Sequence, residues 1–277
     1  MQDNIMNHNT DESRWALNDI VSALDWAKYR SQQGISAALD PLGEYAQSAI
    51  QAEESAGSYL MTLDQISASG CAASLAVKLS ALGLNFDRQL SEHHLQKIIE
   101  HARQRNIPVE IDIEGTPTVP VVCEIAQSFA KSGHSLILAL QAYLNRSADD
   151  LRLSLDAGLK IRLVKGAYRG DTENFNEIQQ RFMLLFSILL AAKVTFDVGT
   201  HDPALLADMT AKLDEKTGNL VCFGFLKGLA DQTKLDMVQK GLRVSEYVPF
   251  GCNRRAYVMR RHAYLKRLQE LGLAPAP

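Results

Sequence analysis

The 277-residue sequence has only four cysteines, Cys71, Cys123, Cys222 and Cys252, and no two of them form a Cys-x-x-Cys pair. That disfavours a disulfide scaffold and a thiolate zinc site, and leaves reduced thiols in a cytoplasmic protein as the expectation. There is no Gly-x-Gly-x-x-Gly turn and no P-loop, so the usual signals for a dinucleotide or a nucleoside triphosphate are missing. Cations are not in excess: the formal net charge of −3 gives no electrostatic footing for nucleic acid. Long apolar runs are also lacking. The greasiest stretch, Phe182 to Val194, is too short to span a bilayer and is bounded by Arg181 before it and Lys193 at its end. Met1 to Ser13 has neither the cationic start nor the apolar centre of a secretion signal and reads as a loose polar terminus. No self-similar period of about 20 to 50 residues points to a solenoid.

What is present is an ordinary soluble composition, 46% hydrophobic and 22% charged, with ample material for a core. The length suits one α/β barrel, a fold that commonly reaches about 250 residues. A helix is expected from Asn18 to Arg30, stopped by Gly34, and then short apolar runs alternate with helical patterns. The expected strands are 35–39, 75–79, 108–113, 136–140, a stretch beginning at Leu159, 194–198, 220–223 and 242–248. Between them fall helices over Tyr45 to Met61 and Ser91 to Gln104, one opening at Thr116-Pro117, one capped by Ser147, and one with Asp202 as cap and Pro203 at its first position. A last helix runs from about Arg254 to Leu271, and the Ala-Pro-Ala-Pro tail ends it. Eight strands alternating with helices, without a composition break, favour a (β/α)8 TIM-type barrel over an open doubly wound sheet. The expected division is a flexible terminus over 1–17, a single domain over 18–272 and a tail over 273–277.

The stretch Leu159-Lys-Ile-Arg-Leu-Val-Lys-Gly-Ala-Tyr168 organises the chain. Ile161, Leu163 and Val164 suit a buried strand, whereas Arg162 and Lys165 are cations that a core rarely tolerates unpaired. Gly166 and Ala167 keep side chains clear where the strand ends. In a barrel the site lies at the C-terminal ends of the strands, and those ends carry Lys78, Asp112, Gln141, Lys165, Thr200-His201 and Tyr247. Each has an ordinary explanation: Lys78 can snorkel, Asp112 can cap a helix, and His201 can be a satisfied core histidine. Their occurrence together at one end of successive strands is what an indifferent core does not supply. The last helix adds Arg260-Arg261, with Tyr257 one turn before and Tyr264 one turn after. Arginine forks suit a carboxylate, although Arg254, Arg255, Lys266 and Arg267 nearby also fit a solvated basic face.

These residues together resemble the proline dehydrogenase flavoenzymes, both the single-function bacterial type and the dehydrogenase domain of bifunctional proline utilisation proteins. The resemblance runs from about Gly34 to Leu265 and is carried by Arg162-Leu-Val-Lys-Gly-Ala-Tyr168, Gln141-Ala-Tyr-Leu144, Thr200-His-Asp202 and Tyr247-Val-Pro-Phe-Gly251 followed by Arg260-Arg261. Leu75-Ala-Val-Lys-Leu-Ser-Ala-Leu-Gly83 and Glu110-Ile-Asp-Ile-Glu114 match the family's lysine and aspartate strands. The resemblance implies a distorted barrel holding FAD noncovalently over its mouth. It implies cofactor contacts from Ile113, Gln141, Arg162, Lys165, Gly166, Ala167, Thr200 and His201, with Arg162 near the flavin N5. It further implies that Lys78, Arg260 and Arg261 hold a substrate carboxylate and that Asp112 and Tyr247 shape the site; Tyr257 and Tyr264 join the substrate-binding candidates from their place one turn either side of the arginines. The implied reaction converts proline to 1-pyrroline-5-carboxylate by hydride transfer to FAD and passes the electrons to a quinone, which would bring the protein to the inner face of a membrane as a peripheral contact. No metal is implied.

The sequence departs from the family pattern on the substrate side. Tyr264 stands where a glutamate is usual, Arg254 and Arg255 replace aromatic residues, and Gly224 stands where glutamine is common. A divergent member oxidising a proline analogue or another amino acid in a biosynthetic pathway is therefore the alternative, followed by a non-catalytic flavin- or metabolite-binding barrel. A metal-dependent hydrolase barrel ranks below both, because His93-His94 and His101 fall on a helix away from the strand ends and read as surface residues.

Overall fold

The computed structural model describes residues 11–167 and 170–270. A short helix α1 (Asp11–Trp15) and α2 (Ile20–Gln32) lead into β1 (Ile35–Pro41). There follow α3 (Ala49–Ser69), β2 (Ala73–Lys78), α4 (Arg88–Gln104), β3 (Val109–Asp112), α5 (Val119–Lys131), β4 (Leu136–Gln141), α6 (Ser147–Asp156) and β5 (Lys160–Val164). The second half contains α7 (Phe175–Ala192), β6 (Phe196–Gly199), α8 (Pro203–Ala211), β7 (Val221–Leu226), α9 (Asp231–Gln239), β8 (Arg243–Phe250) and α10 (Arg254–Glu270). All eight strands pair in parallel and in chain order, and β1 closes on β8, giving the expected (β/α)8 barrel.

The pairing register decides which side chains enter the barrel, because neighbours in register share a face and successive residues alternate. Tyr247 lies opposite Ala38 and Leu226, Lys78 opposite Asp112, Ala139 opposite Arg162, and Arg162 opposite Asp197. Followed round the barrel, the inward face carries the polar strand residues, Asp40, Lys78, Asp112, Gln141 and Tyr247 toward the mouth, with Glu110, Arg162 and Asp197 below, beside a few apolar ones such as Ile137, Val164 and Leu226. The outward face carries Leu39, Val77, Ile111, Leu138, Leu140, Ile161, Leu163, Val198, Phe223 and Val248, all buried under the helices. The apolar core is thus a sleeve between strands and helices, and the lumen is ionic. That accounts for Arg162 in an apolar stretch: its neighbours Ile161 and Leu163 face the sleeve and it faces the lumen.

Several local expectations shift. The helix expected from Tyr45 begins at Ala49, because Tyr45 has a left-handed φ of 56° and Ser48 provides the cap. Ser147 is the first residue of α6 and not its cap; its hydroxyl donates to the Gln141 carbonyl at 2.5 Å. Asp202 does cap α8, accepting from the Ala204 and Leu205 amides. Residues 11–17, expected in a loose terminus, pack onto the barrel: Trp15 is buried, and the Leu17 amide donates to the Pro249 carbonyl at 2.9 Å. Residues 1–10, residues 271–277 with the expected tail, Tyr168 of the organising stretch and Arg169 after it lie outside the described residues. His94, read as a surface residue, is buried, and His101 is half-buried against Asp64 at 2.9 Å.

Candidate active site

The strand ends bring one connected set of charges to the mouth. Lys78 Nζ lies 2.6 Å from Asp40 Oδ1, 3.2 Å from the Tyr247 hydroxyl and 3.5 Å from Asp112 Oδ2. The Tyr247 hydroxyl donates to Asp112 Oδ2 at 2.6 Å. The other Asp112 oxygen accepts from Arg162, whose Nη1 also donates to Glu110 Oε2 at 2.5 Å. Ser74 donates to the second Glu110 oxygen. Burial would raise the Asp112 carboxyl, but Arg162, Lys78 and the Tyr247 hydroxyl outweigh it and hold the group below the usual carboxylate range. Burial pushes Tyr247 well above an ordinary phenol, and Asp112 adds to the shift, so this hydroxyl stays protonated and donates. Asp112 does not cap a helix, since the 3-10 turn Thr116–Thr118 and α5 follow only after Gly115.

On the other side of the mouth, Gln141 donates from Nε2 to the Ile113 carbonyl at 2.8 Å, tying β4 to the end of β3. Lys165 Nζ pairs with Asp202 at 2.6 Å and lies 3.9 Å from the centre of the Phe175 ring. Thr200 Oγ1 accepts from the Asp202 amide at 3.2 Å. His201 Nε2 accepts from the Leu226 amide at 2.8 Å, so the ring is neutral and carries its proton on Nδ1. Burial, followed by the charges on Lys234, Arg261 and Lys165, lowers its pKa to about 3. The core-histidine reading therefore holds for one nitrogen only. Gly166, with φ 131°, has the Tyr143 ring directly where a Cβ would stand, and Gly170 abuts the same ring. The clearance that the glycine provides is thus used first by Tyr143. Ala167 is exposed at the edge of the described loop.

Helix α10 crosses this mouth. Arg260 donates from both terminal nitrogens to Glu44, at 2.5 and 3.1 Å, a bidentate clasp to the β1–α3 loop. Arg261 is buried between Tyr257 and Tyr264, with its guanidinium carbon 5.1 and 5.9 Å from the two ring centres. The position usually held by glutamate is thus filled by a ring against the same arginine. Arg254 is drawn to Glu12 and Asn18 near α1, so it faces the N-terminal segment. Gly224 has no room to spare: a Cβ there would sit 3.2 Å from the Val198 carbonyl and 3.3 Å from Ser245 Oγ. Tyr257 reports on the arrangement as a whole. Its phenol is raised by burial, and the charges of Arg261, Asp40, Lys78 and Arg260 all reach it. Lys78 of β2 and the two arginines of α10 thus act on one buried phenol.

Reading the strand ends missed Asp40, Glu44, Glu110 and Glu114. Asp40-Pro41-Leu42-Gly43 has the composition of a turn, yet β1 continues through Pro41 because it pairs with β8 as far as Phe250. Glu110 and Glu114 flank Asp112 at spacing two, and that alternation was the available signal.

Comparison with known proteins points to one family. Proline dehydrogenase 1 of Bacillus subtilis (strain 168) is 30% identical over 254 residues, covering 88% of this chain and 83% of the relative. Proline dehydrogenase 2 of the same organism is 28% identical over 253 residues, covering 89% and 83%. The crystal structure of proline utilization A (PutA) from Bdellovibrio bacteriovorus, inactivated by N-propargylglycine, superposes with a TM-score of 0.81 at 18% identity over 91% of this chain. The present chain spans about a third of that protein's length, 32%, and the likeness speaks for the fold. A family model described as proline dehydrogenase matches residues 23–270, nearly the whole barrel and the helix that crosses it, and the chain belongs to that family.

Proposed function

We propose that this chain is an FAD-dependent dehydrogenase that oxidises L-proline to 1-pyrroline-5-carboxylate, with a quinone as the final electron acceptor. The observation that carries the proposal is that Lys78 at the end of β2 and Arg260 and Arg261 of α10 all act on the buried Tyr257 phenol, so that separate elements supply the cations a small carboxylate would need.

The side chains also fit the cofactor. Buried polar atoms normally find partners, yet Gln141 Oε1, Arg162 Nε and Arg261 Nε have none among the described residues. With the Nδ1–H of neutral His201 they make a mixed set of one acceptor and several donors, suited to a flavin ring edge that presents both kinds of group. Lys165 adds a cation for an anionic portion of the cofactor. A bound FAD supplies the two-electron acceptor for the hydride that leaves the carbon next to the amine.

The chain's own residues then do three things. Lys78, Arg260 and Arg261 bind the carboxylate, and their charge disfavours an ammonium beside it, which lowers the pKa of the substrate amine. Asp112, held as a carboxylate, fixes Arg162 and Tyr247, so the Arg162 guanidinium keeps one orientation. Helix α10 covers the mouth and limits water. None of the described helices is long and apolar enough to cross a membrane, so in this reading the quinone is met by peripheral contact at the membrane's inner face.

A second reading, oxidation of a proline analogue or another amino acid, draws on Tyr264 against Arg261 and on the closely packed Gly224. Anaerobic mixing of FAD-loaded protein with L-proline and a panel of cyclic and acyclic amino acids separates the two. Bleaching of the flavin by proline at ordinary enzymatic efficiency is the expected result. Bleaching by another amino acid with proline inert supports the second reading, and a protein that takes up no FAD contradicts both.

A further inference from the structure

Behind the Arg260–Glu44 clasp lies a carboxyl group that the reading above does not use. Glu114 follows the end of β3 and is only 2% exposed. The Ser80 hydroxyl donates to its Oε1 at 2.6 Å, and the Ser80 amide approaches its Oε2 at 3.3 Å. Ser80 in turn anchors the β1–α3 loop: the Tyr45 amide donates to Ser80 Oγ at 3.0 Å, and the Ala46 amide donates to the Ser80 carbonyl at 3.0 Å. Glu44, which clasps Arg260, is the residue immediately before Tyr45. A single run of contacts therefore leads from Glu114 through Ser80 and the loop backbone to the Arg260 guanidinium.

We propose that Glu114 is a positioning residue which, through Ser80, sets the Glu44–Arg260 clasp, and that its ionisation subtracts from the positive charge available to a substrate carboxylate. The inference rests on the reading of the mouth as a carboxylate site. The groups that face Glu114 are Lys78 from β2, Glu44 and Tyr45 from the loop, and Tyr59 from α3; Arg260 of α10 reaches it through Glu44. Burial is the main cause that raises the carboxyl, Glu44 adds to it, and Ser80 and Lys78 oppose it, leaving the pKa at about 7. Below that pH Glu114 is neutral and adds nothing to the hold that Asp40 and Asp112 already have on Lys78. Above it, the new carboxylate competes for Lys78 and reinforces Glu44 in holding Arg260, so anion capture weakens. By linkage, an anion that binds favours protonation of Glu114 and draws a proton from solution.

Proline cannot test this cleanly, because its own amine titrates. Cyclopentanecarboxylate has the ring and the carboxylate without the amine, and its binding to FAD-loaded protein can be followed by calorimetry. The native protein is expected to lose about tenfold in affinity between about pH 6 and about pH 8, with proton uptake near neutrality visible as a dependence of the heat on buffer. Glu114→Gln, which keeps an acceptor for Ser80, is expected to flatten the profile and abolish the uptake. Ser80→Ala, which leaves the carboxyl but cuts its link to Tyr45, is expected to weaken binding at both pH values with FAD retained. An unchanged slope and proton uptake in Glu114→Gln overturns the electrostatic part, and native affinity in Ser80→Ala overturns the positioning part. Native protein that binds no cyclopentanecarboxylate at any pH overturns the carboxylate-site reading itself.

Discussion

Asp112 accepts from both Arg162 and Tyr247 while Lys78 stands 3.5 Å away, so one carboxylate orders three of the side chains assigned to chemistry. Tyr247 is the lever that tests this without removing a charge. Tyr247→Phe deletes the hydroxyl shared between Asp112 and Lys78, a hydrogen bond to charged groups of about 1.5–3 kcal/mol. The expected result is a rise of about 10- to 100-fold in the proline concentration that half-saturates anaerobic flavin bleaching. Because burial and Asp112 keep the Tyr247 phenol protonated throughout the working range, the native pH profile is expected to show no limb that this substitution removes. At this scale the sequence disclosed the residues whose type was unusual for where they stood, such as Arg162 in an apolar run. It concealed Asp40, whose local composition reads as a turn and whose place in a strand is decided by pairing with β8. Glu44 was concealed for a related reason: its partner Arg260 lies 216 residues away, and no local pattern links them.

Among the elements, helices were legible in outline because their apolar spacing and caps are local, and their boundaries moved where the backbone had other demands, as at Tyr45 and Ser147. Helix α4 holds a feature that no spacing announced. His94 is buried against α3, neither ring nitrogen has a hydrogen-bond partner among the described residues, and the Glu53 carboxylate is 3.7 Å away. Burial lowers its pKa below 6.5, so the unfolded chain binds the proton more readily than the folded one. The neutral ring therefore permits full stability above the unfolded pKa, and stability falls as pH drops below about 6.5. His94→Leu removes two unsatisfied buried nitrogens and is expected to stabilise the protein by about 1–3 kcal/mol. It should also flatten the acid side of a plot of thermal midpoint against pH. A variant that melts lower than native at every pH would contradict this account of the α3–α4 contact. Helix α1 shows the opposite case, an element hidden in a polar terminus. Its Trp15 packs with Tyr257 and Val258 of α10, and the buried Lys227 donates to the Ser13 and Arg14 carbonyls at 2.7 and 3.0 Å.

For the whole molecule, the apolar sleeve outside the strands is interrupted by a buried charge. Glu246 of β8 points into the sleeve and is fully buried, meeting Trp26 at 2.6 Å and Arg30 at 3.1 Å from α2, and Lys234 at 2.5 Å from α9. This knot ties two helices to the barrel wall without belonging to the mouth. Glu246→Gln leaves the buried Lys234 and Arg30 with only the half-exposed Asp231 as a carboxylate partner and is expected to cost about 3 kcal/mol in denaturant unfolding, while the folded fraction keeps its proline saturation. A barrel was readable from the sequence because eight alternations are a global pattern; the sidedness of the strands emerged only with their register. The cationic mouth is where the account stands or falls, and Arg260→Met probes it most directly, since Arg260 sits at the edge of the fold and its partner Glu44 remains partly accessible. Anaerobic flavin bleaching measured against proline concentration is expected to show half-saturation raised about 10- to 100-fold, with FAD affinity within about twofold of native. Unchanged proline saturation, or loss of FAD in step with loss of proline, would contradict the claim that this guanidinium holds the substrate carboxylate.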